Sequence, residues 1–242
     1  MKQLNKVITP AWECPKQIIA YTSTRIGGVS VGDYAGCNVG DHVGDNPDAV
    51  ALNRASLPDA ERIFWLNQVH GNHVVRLPSK DNQADAAYSN VKGHYCAVMT
   101  ADCVPVLICD KKGTQVAAVH AGWKGLHLNI IQKAVALFSG QPSQLMAWIG
   151  PAICQRCYEV NRELAQLFSA YSGAIVAGDK PDKYWLDLPA VAQQQLSQLN
   201  VGHIVQSRLC TYCNNDTFYS HRYATHHQYA NTGRIVSVIG LR

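Results

Sequence analysis

The 242-residue sequence has no apolar run long enough to cross a bilayer. Stretches such as residues 97–99 and 104–109 fall far short of the ~20 residues that a spanning helix needs. Internal repeats, low-complexity tracts and long linkers are also missing, which excludes solenoids and beads-on-a-string arrangements. The opening residues, Met1-Lys2-Gln3-Leu4, lack an apolar segment followed by a small-residue cleavage site. No secretory signal is therefore read, and a cytoplasmic location is expected. Charge is sparse, at 16% of residues with a net +4. That balance is compatible with anionic substrates but too weak and dispersed for a nucleic-acid partner. The lone Gly27-Gly28 makes no dinucleotide-binding fingerprint.

What is present is a core-forming composition, 47% hydrophobic, together with nine cysteines. A chain of this length buries roughly 70–75% of its unfolded surface, so it needs no staples and is read as one domain over 1–242. In a reducing compartment such cysteines serve more often as buried thiols or metal ligands than as disulfides.

Residues 18–22 are β-branched and aromatic and run into Gly27-Gly28, which predicts a strand entering a turn. Asp45-Asn46-Pro47-Asp48 supplies a cap and an early proline for a helix over 49–57. Residues 64–69 and 74–77 flank Gly71-Asn72 and predict two strands joined by a tight turn. Residues 95–99, 104–109 and 116–119 are apolar stretches of strand length, with Lys111-Lys112-Gly113 turning between the last two. Leu128, Ile131, Val135 and Phe138 recur at helical spacing, which predicts an amphipathic helix over 126–138. Two more helices are expected near 162–170 and 188–199, and strands at 145–149, 204–206, 218–220 and 235–239. Strands that follow one another without intervening helices predict a mixed α/β (α+β) fold rather than a Rossmann order.

Three segments share one design. His70 closes a strand-like run, Cys103 lies between two apolar strands, and His120 ends the next strand. Strand ends of one sheet converge in space although they are distant in sequence. Two imidazoles and a thiolate suit Zn²⁺, and three protein ligands leave a fourth position for water or substrate. The competing reading is two hydrogen-bonded histidines and a buried thiol. Spacing alone does not choose between them.

A wider pattern bears on that choice. Thr24-Arg25-Ile26-Gly27-Gly28-Val29-Ser30, Asn38-Val39-Gly40-Asp41-His42-Val43-Gly44-Asp45, Gln68-Val69-His70-Gly71, Ala84-Asp85-Ala86, Thr100-Ala101-Asp102-Cys103-Val104-Pro105 and Val119-His120-Ala121-Gly122-Trp123-Lys124-Gly125 follow in order. Ile149-Gly150-Pro151, Cys157-Tyr158-Glu159-Val160 and Phe218-Tyr219-Ser220-His221-Arg222 continue the series. Together they resemble the successive signatures of the laccase-domain family, whose members are called polyphenol oxidase, peptidoglycan editing factor or purine nucleoside phosphorylase. The resemblance implies mixed β-sheets forming a sandwich-like core flanked by helices, a fold shared with toxin cysteine hydrolases. It implies zinc on His70, Cys103 and His120. It also implies phosphorolysis of adenosine, inosine, guanosine and methylthioadenosine, with adenosine deamination. Nothing in the sequence itself demands a membrane or more than a monomer. Hydrolytic editing of a peptidoglycan precursor and copper-dependent phenol oxidation are the alternatives carried by the same resemblance.

Chemistry weighs these labels. A multicopper oxidase needs many clustered histidines, whereas here no His-x-His occurs and His226-His227 is the only adjacent pair. Cu²⁺ is therefore a minor alternative to Zn²⁺. Deamination suits a zinc held by His and Cys that activates water against C6 of adenine. Phosphorolysis asks for a cation on the phosphate, and Arg25 is the candidate, with an ordinary surface or capping arginine as the alternative. Asp102 is read either as orienting a ligand histidine or relaying a proton, or as an Asx-turn at its corner. Asn38, His42 and Gln68 fall in motifs that line the pocket, Gln68 being able to read a purine edge. Lys124 stands where many relatives carry arginine and lacks the planar fork, which puts a phosphate role in doubt. Cys154-Gln155-Arg156-Cys157 and Cys210-Thr211-Tyr212-Cys213 could build a second, structural zinc site. Their separation far exceeds the ~15–20 residues of a zinc ribbon, which favours ordinary thiols. His221, His226 and His227 are read as part of a solvated, Tyr- and His-rich loop near the pocket.

Overall fold

A computed structural model describes residues 7–242. Its strands, in chain order, are β1 (Val7–Ile8), β2 (Ile18–Ser23), β3 (Ile63–Phe64), β4 (Val74–Leu77), β5 (Ala86–Ser89), β6 (Tyr95–Thr100) and β7 (Val104–Asp110). They continue as β8 (Val116–Ala121), β9 (Leu145–Ile149), β10 (Glu159–Asn161), β11 (Ile175–Ala177), β12 (Lys183–Leu186), β13 (His203–Gln206) and β14 (Ile235–Leu241). The helices are short: α1 (Pro47–Ala55), α2 (Trp123–His127), α3 (Ile130–Val135), α4 (Arg162–Gln166), α5 (Leu188–Gln198) and α6 (His221–His226). Among the described residues no helix is long and apolar enough to cross a membrane.

Two mixed sheets dominate. One runs β1-β2-β14-β6-β3 and the other β13-β9-β7-β8-β5-β4, with β10-β12-β11 as a small third sheet. Every residue of β6, β7, β8 and β14 is buried. This is the reason those strands read as continuous apolar runs instead of alternating ones. Alternation nevertheless sorts their side chains. Leu107, Cys109, Val116 and Ala118 pack with Cys96, Val98 and Ile239 of the facing sheet. Val106, Ile108, Ala117 and Val119 pack on the opposite side with Leu126, Ile130, Val191 and Leu196 of the helical layer. The mixed, sandwich-like α/β core expected from the sequence is present.

Several local expectations are corrected. Residues 64–77 form no hairpin, because β3 pairs with β6 in one sheet and β4 with β5 in the other. The intervening chain crosses between sheets, and its amides are taken by a carboxylate rather than by a partner strand. The helix expected over 126–138 is broken into α2 and α3 by Asn129, whose φ of 58° is left-handed. Asparagine adopts that conformation more readily than other side chains. The helix expected over 162–170 stops at Gln166. No strand forms at 218–220; Phe218 and Tyr219 are buried instead, with the Tyr219 hydroxyl donating to the Tyr34 carbonyl. The stretch holding His221 and His226 is α6, capped by the Ser220 side chain, not a loop. Strand β5 and the three-stranded sheet escaped sequence reading, because their segments are short and their partners non-sequential.

Candidate active site

Pairing decides the site. In the β7–β8 hairpin, Pro105 lies opposite His120. That register sets the histidine beside the turn joining β6 to β7, where Cys103 sits next to Asp102, itself at φ 90°. His70 arrives from the cross-sheet segment, also left-handed at φ 58°. Among the described residues, the donor atoms of His70, Cys103 and His120 lie within 4.8 Å of one another. The two imidazole rings meet edge-on at 4.8 Å and 80°. His120 is buried, Cys103 half-buried and His70 exposed, so the group opens to solvent on the His70 side.

Glycine at position 122 keeps the middle of this group free. A Cβ there would lie 3.0 Å from Cys103 Sγ, 3.6 Å from His70 Cδ2 and 3.7 Å from His120 Nε2. Metal–ligand bonds of ~2.0–2.3 Å place tetrahedral N and S donors roughly 3.3–3.8 Å apart. The spacing, the borderline-soft donors and the free centre all suit such an ion.

Behind the donors lies Asp85, fully buried. One carboxylate oxygen accepts the His70 N–H at 2.9 Å and meets His120 Nδ1 at 2.8 Å. The other accepts the amides of Val69 at 3.2 Å and Gly71 at 2.6 Å. One side chain thus fixes the left-handed turn that presents His70 and the ring that presents His120. Holding Nδ1–H against a carboxylate leaves Nε2 as the free donor, the usual second layer of a metal histidine. The carboxylate that orients a histidine is therefore Asp85, not Asp102. Asp102 accepts the Thr211 hydroxyl at 2.7 Å and the Arg222 N–H at the start of α6 at 2.6 Å. In the sequence Asp85 stands out only within Ala84-Asp85-Ala86; an aspartate just before the short run Ala86-Ala87-Tyr88 was the available signal.

Charge follows from this packing. Burial raises the Cys103 pKa, but the charge and hydrogen bonds of His120 and His70 outweigh it and bring the thiol down to about 6. Burial lowers that of His120, yet Cys103 and the Asp85 hydrogen bond carry it up to about 9. Burial would likewise raise Asp85, and its bonds to His120, Gly71 and Val69 hold it below the usual carboxylate range. Without metal, Cys103 and His120 thus form a thiolate–imidazolium pair near neutrality. Metal binding needs the thiolate and the neutral ring. Between pH about 6 and 9, binding displaces the His120 proton, so this pair should raise affinity about tenfold per pH unit. Below about 6 a second proton competes, at Cys103, and the slope steepens. Chelator-competition titrations across that range check this; a flat profile would contradict the pair.

The remaining sequence candidates divide. Gln68 grips β6, donating to the Met99 carbonyl at 2.8 Å and accepting its amide at 2.7 Å. Its amide is a clasp for the strand edge rather than a reader of a purine. Asn38 is fully buried, with its oxygen accepting the amides of Gly40 and Arg234 and its nitrogen donating to Asp45. His42 is exposed beside Asp41, and its pKa is lowered by burial and by Arg234. Arg25 donates to the carbonyls of Asn215 and Ala35 and lies 4.7 Å over the Tyr219 ring. One residue escaped sequence reading altogether. Arg234 is half-buried and within electrostatic reach of Cys103 and Asp102, burial lowering its pKa against their opposing charges. Tyr158 is also near Cys103, under the Arg222 guanidinium at 5.0 Å.

Sheets and donor cluster together define a mixed α/β protein with an open, two-histidine, one-cysteine group. Residues 19–242 match the family described as multi-copper polyphenol oxidoreductase laccase, and the chain belongs to that family. A purine nucleoside phosphorylase of Shigella flexneri is 44% identical over 247 residues, covering 98% of this chain and 100% of that one. A purine nucleoside phosphorylase of Haemophilus influenzae is 38% identical, covering 97% and 98%. A solved Neisseria meningitidis protein superposes with a TM-score of 0.88 at 37% identity, covering 98% and 99%. The YlmD protein of Geobacillus stearothermophilus gives 0.90 at 28% identity, covering 100% and 98%.

Proposed function

We propose that this chain is a zinc-dependent purine nucleoside phosphorylase, acting on adenosine, inosine, guanosine and methylthioadenosine, with adenosine deaminase activity. The observation that carries the reading is the His70–Cys103–His120 group, backed by Asp85 and open on one side, in a chain so similar to purine nucleoside phosphorylases. Those three residues would hold the ion, which when bound supplies Lewis-acid polarisation of an oxygen ligand. The donor set itself argues for zinc over a multicopper centre. Apart from an all-cysteine cluster, it is the one metal-capable group of three or more His, Cys, Asp or Glu among the described residues.

In phosphorolysis a phosphate oxygen bonds to the anomeric carbon of ribose while the bond from that carbon to the purine nitrogen breaks. The electron pair leaves with the purine, which takes up a proton, and the products are free base and ribose 1-phosphate. Phosphate brings negative charge to a half-buried donor group, so a fixed cation must meet it. Arg234 is the stronger candidate, since its charge is felt by Cys103 and Asp102, its amide is anchored by Asn38 and its guanidinium is held by the Thr232 and Gly233 carbonyls. Arg25 lines a neighbouring cleft with Asp33, Ser220 and Tyr223 and is the second. Deamination is supported by the same donor set, His and Cys on an open site.

Metal-replete protein given adenosine and phosphate should yield adenine and ribose 1-phosphate, and inosine when phosphate is withheld. Cys103→Ala should lower both rates by more than about 100-fold, beyond the 10–100-fold typical of losing an outer partner. Product no greater than in the Cys103→Ala control would sink the proposal.

A further inference from the structure

The two Cys-x-x-Cys pairs left aside by the sequence argument meet in space. Strands β9 and β13 run parallel and adjacent, so the segments after them leave the sheet at the same end. Ala152 and Cys210 continue that pairing as a parallel bridge. Each segment then turns tightly, Cys157 N–H donating to the Cys154 carbonyl and Asn214 N–H to that of Cys210. The Sγ atoms of Cys154, Cys157, Cys210 and Cys213 consequently lie within 4.8 Å of one another. Two of the separations are 3.5 Å, Cys154 to Cys157, and 3.4 Å, Cys157 to Cys213. Four thiolates on a tetrahedral zinc at ~2.3 Å are about 3.8 Å apart.

We propose that Cys154, Cys157, Cys210 and Cys213 bind a second zinc ion, in a closed tetrathiolate site that staples the two segments together. The long sequence gap is no obstacle, because the parallel β9–β13 pair does the work that a short linker does in a ribbon. A second arrangement favours a thiolate. The amides of Cys154 and Cys213 both donate to Cys210 Sγ, at 3.3 and 3.4 Å, so a sulfur anion there has two N–H partners already aimed at it. Four protein donors leave no open position, which makes the site structural. Its reach extends to the neighbourhood of Cys103. Thr211, inside the second pair, donates to Asp102, the neighbour of Cys103, and the first pair runs directly into Tyr158.

The test counts metal where the first group is disabled. Purified Cys103→Ala protein, dialysed against a chelator, should retain about one zinc per chain. That zinc should be lost when Cys157→Ala and Cys213→Ala are added. Cys103→Ala protein carrying cobalt should show intense thiolate-to-cobalt charge-transfer absorption, a readout that does not depend on the cysteine variants folding. A Cys103→Ala chain without zinc, or weak absorption typical of oxygen-ligated cobalt, would overturn the proposal. Because activity is not measured, failure of the phosphorylase reading and failure of this one are separate results.

Discussion

Asp85→Asn should cost the His70–Cys103–His120 group about 10–100-fold in zinc affinity while leaving the protein folded. An asparagine fills the same space, but its amide nitrogen donates where the carboxylate accepts. Facing His120 Nδ1 across 2.8 Å, that nitrogen favours the tautomer whose proton sits on Nε2, the atom needed for the metal. It also confronts the amides of Val69, His70 and Gly71 with a group that accepts from fewer of them. Asp85→Ala goes further, orphaning three backbone donors and an imidazole in a fully buried spot. At ~1–3 kcal/mol for each unsatisfied buried group, offset by partial relaxation, a loss on the order of 3–5 kcal/mol follows. Calorimetry on both variants, with chelator competition on Asp85→Asn, separates the two effects. Undiminished affinity in Asp85→Asn would show that His120 does not depend on this carboxylate.

The same residue marks the limit of sequence reading. The strands around it were legible because burial on both faces writes continuous apolar runs, and β6, β7, β8, β9 and β14 lie where those runs are. The three donors were legible because each ends or adjoins such a run and falls in a family motif. Their partners were not. Asp85 finds His120 through β5–β8 pairing, and Arg234 finds Cys103 through the β14–β6 pairing that lays the C-terminal strand against the middle of the sheet. Neither pairing leaves a local trace. Gln68 misled for the same reason, since an amide that clasps the backbone of Met99 has the composition of one that reads a base. The Gly71-Asn72 pair has hairpin composition, but the flanking residues belong to different sheets, and a turn signal carries no information about which sheet follows. The cysteine pairs show the converse error: sequence spacing spoke against a cluster that parallel strands assemble.

Gly122→Ala should weaken metal binding at the first group at least about tenfold without unfolding the chain. Gly122 precedes α2 at φ −70° and ψ 171°, a conformation alanine adopts without strain. As the residue before a helix it has no side-chain cap to lose, so the cap itself contributes no more than ~1 kcal/mol and any further loss comes from the contact with Cys103. The added methyl, however, would stand 3.0 Å from Cys103 Sγ and 3.7 Å from His120 Nε2. Sulfur and carbon make ordinary contact well beyond 3 Å, so the thiolate must retreat from the space it shares with the imidazoles. Cys103 has little room to do so, because Asp102 beside it is pinned by Thr211 and Arg222. The expected protein stays folded but melts somewhat below wild type, holds less than about a tenth of the zinc at this group, and turns over adenosine and inosine correspondingly slowly. The four-cysteine site, built on separate segments, should keep its own ion. A Gly122→Ala enzyme with full activity and full metal would mean that the reacting centre is not enclosed by these three side chains, and the function would have to be sought elsewhere on the sheet.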